Sequence, residues 1–94
     1  MKGLIRFQDE LKKELKNEEF KKAFDEEEVY ASVAIQIAQI REKEHLSQAE
    51  LAKKLDTTQQ TVSRLEKSAN RSYSLKTLIK LAEAFDKKLK IQFV

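Results

Sequence analysis

Gln59, Gln60, Ser63 and Arg64 fall within one short stretch, and all four side chains can read the edges of base pairs. An Asn or Gln amide bonds bidentately to adenine and an Arg guanidinium to guanine, each good pair discriminating by about 1–3 kcal/mol. If residues 59–66 are helical, these four lie opposite Val62 and Leu65, so the apolar pair can face a core while the polar group faces outward. Thr58, at the start of that helix, joins the same outward group. Gln48, at the amino end of the preceding helix, is placed to meet a phosphate with help from the helix dipole. Lys67, Asn70 and Arg71 follow in a polar, basic loop where contacts to the phosphate backbone are expected. Such contacts give affinity and salt dependence but little sequence information.

Catalytic chemistry finds little to work with. One His, one Gly and no Cys leave no phosphate-cradling Gly loop, no His-bearing triad and no zinc cluster, so no enzyme, metal or cofactor is expected. His45 has no second ligand residue near it and reads as a surface or helix-capping residue. The acidic residues are plentiful, but no spacing singles out a pair for acid–base work.

Two short helices and a tight turn would have to hold the reading face in place. Ser47 opens the first, with Glu50 three residues on to complete a capping box, and Leu51, Ala52 and Leu55 face inward. Ala52 is the small residue that lets two helices cross closely. Asp56-Thr57-Thr58 makes the turn, Asp56 taking the left-handed backbone usually given to Gly, and Thr58 caps the second helix. This is the helix-turn-helix pattern, whose second helix enters the major groove. Ser74 caps a further helix carrying Leu75, Leu78, Ile79, Leu81, Ala82 and Phe85 on its apolar side.

The flanks add three elements. Leu4, Phe7, Leu11 and Leu15 suggest an amphipathic helix over residues 8–16, and Asn17 a cap for the next helix, with Glu18 and Glu19 in its first turn and Phe20, Ala23 and Phe24 as its stripe. The run Asp25-Glu26-Glu27-Glu28 interrupts the hydrophobic pattern, so a boundary or bend is expected there. From Tyr30 through Val33, Ala34, Ile37 and Ile40 a second stripe begins, widened by Ala31, Ile35 and Ala38, which suggests burial on two sides before Glu44-His45-Leu46 closes the helix. Leu89, Ile91 and Phe93 alternate with Lys88, Lys90 and Gln92, the pattern of a half-buried strand that needs a ladder partner. That partner is the same segment of a second copy, the Leu4–Phe7 stretch, or the sheet edge of another protein. The fold class expected is all-α, a bundle with an N-terminal helical arm over residues 1–28, and a second unit over residues 29–94 that ends in a short β-strand.

The formal charge of +3 conceals a split: residues 1–45 hold 9 Lys/Arg and 11 Asp/Glu, residues 46–94 hold 10 and 5. A basic half suits a polyanion and an acidic half a basic protein. No apolar run approaches the ~20 residues of a membrane span. The absence of Cys and of a recognisable secretory signal leads us to expect a cytoplasmic protein.

The stretch S-Q-A-E-L-A-K-K-L-D-T-T-Q-Q-T-V-S-R-L-E-K resembles the Xre/Cro-type helix-turn-helix family and looks especially like the lambdoid phage repressors, over about residues 37–86. The resemblance implies a lambda-repressor-like bundle in which Gln48 contacts phosphate while Gln59, Gln60 and Arg64 face bases. The chain departs from the family in carrying Asp56 where Gly is usual, and no Gly in Lys67-Ser68-Ala69. With its flanks N-E-E-F-K-K-A-F-D-E-E-E and K-K-L-K-I-Q-F-V, the chain is similar to HigA-type antitoxins of type II toxin–antitoxin pairs. This implies masking of a HigB-type endoribonuclease of the RelE superfamily and repression of the shared operon by a homodimer on a palindromic duplex. Phe20, Phe24, Asp25, Glu26, Glu27 and Glu28 would then offer an acidic surface to the basic toxin. The alternatives are a stand-alone phage-like repressor and, in another class, a helical adaptor that binds only protein.

Overall fold

The computed structural model describes residues 18–94, and the expectations for Leu4–Phe7, the helix over 8–16 and the Asn17 cap lie outside them. Four helices follow in order: α1 Glu18–Lys43, α2 Gln48–Lys54, α3 Gln59–Leu65 and α4 Leu75–Ala84. The all-α class expected from the sequence is the one observed.

Local chemistry accounts for nearly every helix end. Ser47 Oγ accepts from the Glu50 N–H at 3.0 Å while the Glu50 carboxylate accepts from the Ser47 N–H at 2.8 Å, closing the capping box of α2. Thr58 and Ser74 cap α3 and α4 alike, each hydroxyl accepting the N–H three residues on, at 3.2 and 3.1 Å. At the other ends, His45, Asp56 and Asp86 adopt left-handed backbone with φ of 59°, 56° and 55°. Behind each stands the same pair of reverse hydrogen bonds. For Asp56 these are Asp56 N–H to Lys53 C=O at 3.2 Å and Thr57 N–H to Ala52 C=O at 2.9 Å. Three helices thus end in the Schellman arrangement without a single Gly, each accepting the cost of a Cβ in the left-handed region. The left-handed turn expected at Asp56 and the capping role expected of His45 are both observed.

Ile37 of α1, Leu51 and Ala52 of α2, Val62 and Leu65 of α3, and Leu81 with Phe85 of α4 form the core, Leu51 and Val62 being wholly enclosed. Val33, Ile40, Leu55, Tyr73 and Leu78 pack around it. Because α1 runs 26 residues, about 39 Å, only its second half can reach this core, and its first half carries Phe20 to Val29 beyond it.

Four expectations need correcting. No bend occurs at Asp25–Glu28, where α1 continues without interruption. An acidic run breaks a hydrophobic stripe, but Glu is a good helix former and neither Pro nor Gly is present to stop the backbone. Nor is α1 buried on two sides, since Val29 and Ile35 stay 63% and 53% exposed. On α4, Leu75 and Ile79 face outward, because at about 100° per residue they lie about 120° and 160° around the helix from the buried Leu81. Among the described residues there is no strand, and 88–94 forms an irregular tail. A strand exists by its ladder, and no other described segment pairs with this one.

Candidate nucleic-acid interface

α3 sits on the core through Val62 and Leu65, and this orientation decides what it shows to solvent. Gln59, Gln60 and Arg64 are exposed, Ser63 half-buried at the flank. Thr58 is exposed too, but its hydroxyl is committed to the cap and also meets the Thr61 hydroxyl at 3.0 Å. No side-chain hydrogen bond or ion pair within the described protein holds Gln59, Gln60 or Arg64, so their donors and acceptors are presented outward. A rigid helix, fixed from beneath and polar above, can enter a groove and bond to base edges.

At the carboxyl end of α3 lies a polar assembly that the sequence did not announce. Arg41 of α1 donates from Nε and Nη2 to both carboxylate oxygens of Glu66, at 2.6 and 3.1 Å. Glu66 is the residue that ends α3, and its side chain is only 7% exposed against 13% for Arg41. Arg41 Nη1 donates to the Leu46 carbonyl at 2.8 Å, and Gln48 Nε2 donates to Glu66 Oε1 at 3.1 Å. The hydrogen bond to Glu66, aided by its charge, raises the Arg41 pKa above its ordinary value, so the guanidinium stays charged despite burial. One bidentate pair therefore joins the end of α1, the start of α2 and the end of α3. Gln48, expected at a phosphate, is thereby held in a defined position. An amide nitrogen carries two N–H groups, so the bond to Glu66 leaves the other for an outside acceptor. Arg41 and Glu66 are 25 residues apart, and no periodicity relates them.

Asn70, Lys67 and Arg71 were expected together in the loop after α3, and the structure separates them. Lys67 is exposed. Asn70 is buried at 8% exposure, its Oδ1 accepting the Ser72 N–H at 3.2 Å, so it shapes the loop from inside rather than facing a duplex. Its short side chain can bond its own backbone, as Asn does in turns. Arg71 remains on the surface, lying over the Tyr30 ring and paired with Glu27. Of the acidic-arm residues, Asp25, Glu26, Glu27 and Glu28 are exposed along α1, Phe20 is 42% exposed and Phe24 half-buried.

Among the described residues no group of three potential metal-binding side chains occurs, and no helix is long and apolar enough to cross a membrane. A capped helix pair joined by a left-handed turn, with a polar, outward second helix, defines a helix-turn-helix DNA-binding unit. A helix-turn-helix family model matches residues 37–91, well over half of the chain, and the protein belongs to that family. It is a DNA-binding transcriptional regulator. Neither the curated proteins nor the solved structures gave a match.

Proposed function

We propose that this chain is a HigA-type antitoxin: a homodimer that represses its own operon and masks a basic endoribonuclease toxin of the HigB/RelE kind. The observation that carries the DNA half is the outward face of α3, Gln59, Gln60 and Arg64, backed by Val62 and Leu65. Side chains of these types, held on a helix that cannot rotate, discriminate between bases rather than merely meeting phosphates.

The toxin half is supported by the resemblance of the flanks and by the form of α1. A minimal reader of DNA needs α1 only from about Val33 onward, yet the helix extends back to Glu18 and carries an exposed acidic run there. That surface suits a basic, RNA-binding partner. Dimerisation is supported by the tail, where Ile91 and Phe93 are 59% and 98% exposed and the backbone of 88–94 forms no ladder with another described segment. A two-fold dimer would set its α3 helices about 34 Å apart, one duplex turn.

The test has two arms. Arg64→Ala and Gln59→Ala are each expected to weaken binding to a duplex selected by this protein much more than binding to random duplex; equal loss on both would mean that these side chains touch only backbone. In the second arm, a purified RelE-superfamily endoribonuclease encoded beside this gene should co-purify with the chain and lose activity. Phe20→Ala combined with Phe24→Ala should weaken that capture while sparing DNA binding. DNA binding without capture of the neighbouring product would favour a stand-alone repressor, and salt-independent failure to bind any duplex would favour a protein-binding adaptor.

A further inference from the structure

Two side chains assigned by sequence to different surfaces meet in the fold. Glu27, on the exposed acidic run of α1, forms an ion pair with Nη2 of Arg71 in the loop after α3. The other terminal nitrogen, Nη1, donates to the carbonyls of Ser68 at 2.8 Å and Asn70 at 3.2 Å. The guanidinium carbon lies 4.4 Å from the centroid of the Tyr30 ring, and Tyr30 stacks on Tyr73 with centroids 6.1 Å apart. Tyr73 in turn donates its hydroxyl to the Leu65 carbonyl, in the last turn of α3, at 2.5 Å. The protein thus orients the guanidinium through one face and one edge, by contacts that do not involve Glu27. Glu27 takes the edge left over.

That last contact is the weakest to hold. Arg71 and Glu27 side chains are 40% and 64% exposed, and an exposed ion pair contributes only about 0.2–1 kcal/mol. Phosphate competes for the same edge through charge-assisted hydrogen bonds, and a duplex presents phosphates in a dense row. We propose that Glu27 is an intramolecular competitor for a DNA phosphate at Arg71. It occupies Nη2 in the free protein and is displaced when the loop after α3 docks on the duplex backbone, so Glu27 lowers and sets the affinity for DNA. The proposal rests on the DNA-binding reading above and adds the regulation of that surface. It also couples the acidic run to the interface: a basic partner that pairs with Glu27 frees Arg71 for phosphate, and by linkage DNA that takes Arg71 frees Glu27.

The full chain and its E27Q, E26Q, R71A and E27Q/R71A variants would be titrated against a fluorescein-labelled, mixed-sequence duplex of about three helical turns, at salt from about 50 to 200 mM. Circular dichroism establishes equal helix content. E27Q is expected to bind about two- to fivefold more tightly than wild type. Its plot of log affinity against log salt should steepen by up to about 0.9 per chain. E26Q removes the same charge one residue away and should change binding less. R71A should weaken binding, and E27Q should bring no gain in the R71A background. A gain that persists without Arg71, or that E26Q matches, would reduce the effect to bulk charge and overturn the proposal, as would no gain at all. Those results leave wild-type binding intact; absence of duplex binding in wild type and every variant would instead remove the DNA contact itself, and the proposal with it.

Discussion

Breaking the Arg41–Glu66 pair should destabilise this fold heavily although the pair lies outside the apolar core. Glu66 accepts hydrogen bonds from Arg41 Nε, Arg41 Nη2 and Gln48 Nε2, with 7% of its side chain exposed. Glu66→Ala leaves the guanidinium with the Leu46 carbonyl as its hydrogen-bond partner and a side chain only 13% exposed. Removing one member of a buried pair costs about 3–5 kcal/mol, because the other charge stays desolvated. Arg41 keeps some contact with solvent and one hydrogen bond, which places the cost near the lower end, about 3 kcal/mol. Domains of this size have about 5–10 kcal/mol in all, so the loss takes a large share of it and lowers the Tm by about 12–24 °C. Urea unfolding followed by far-ultraviolet circular dichroism reads it as a shift in midpoint at unchanged slope. Arg41→Met with Glu66→Leu should recover most of the loss, since apolar replacement of both partners removes the stranded charge. Two results would refute the reasoning: a cost for Glu66→Ala below about 1 kcal/mol, as for an exposed pair, or a double variant whose destabilisation equals the sum of the single ones.

Three further outcomes follow from particular residues. Asp56→Gly should stabilise the chain by about 0.5–1 kcal/mol in the same unfolding experiment, because Gly carries no Cβ penalty at φ 56°; a destabilised variant would mean that the Asp side chain contributes more than its backbone costs. Hydrogen bonds from the Ser47 backbone and hydroxyl lower the Glu50 pKa, so Glu50 supports the native state above the ordinary carboxylate range and loses that contribution as pH falls through its depressed value. Wild type should therefore lose more stability on acidification than Glu50→Gln, and identical pH profiles would count against the capping box as the source. Deleting residues 88–94 should shift the chain from dimer towards monomer in light scattering, and an unchanged mass would remove the tail from the interface.

What could be read from the chain alone is what depends on neighbours in sequence. Ser47 with Glu50, Thr58 with Thr61 and Ser74 with Thr77 are contacts over three residues, decided by residue type and spacing, and each cap was legible. So were the left-handed turn at Asp56 and the inward placing of Leu51, Ala52, Val62 and Leu65, since helical period alone separates them from Gln60 and Arg64. The expected bend at Asp25–Glu28 failed for an instructive reason: hydrophobic pattern reports which face meets the core, whereas the backbone stops only for a cap or a breaker. The β-like alternation in the tail was real but insufficient, because strand formation needs a second backbone. Only tertiary structure decided which of 19 Lys/Arg and 16 Asp/Glu would meet. Arg41 with Glu66 and Arg71 with Glu27 span 25 and 44 residues, and Asn70 turned inward while Arg71 stayed out. A charge carries no mark of its partner: the pairing is chosen by where packed helices bring distant side chains, after hydrophobic burial has set the orientation of the helices.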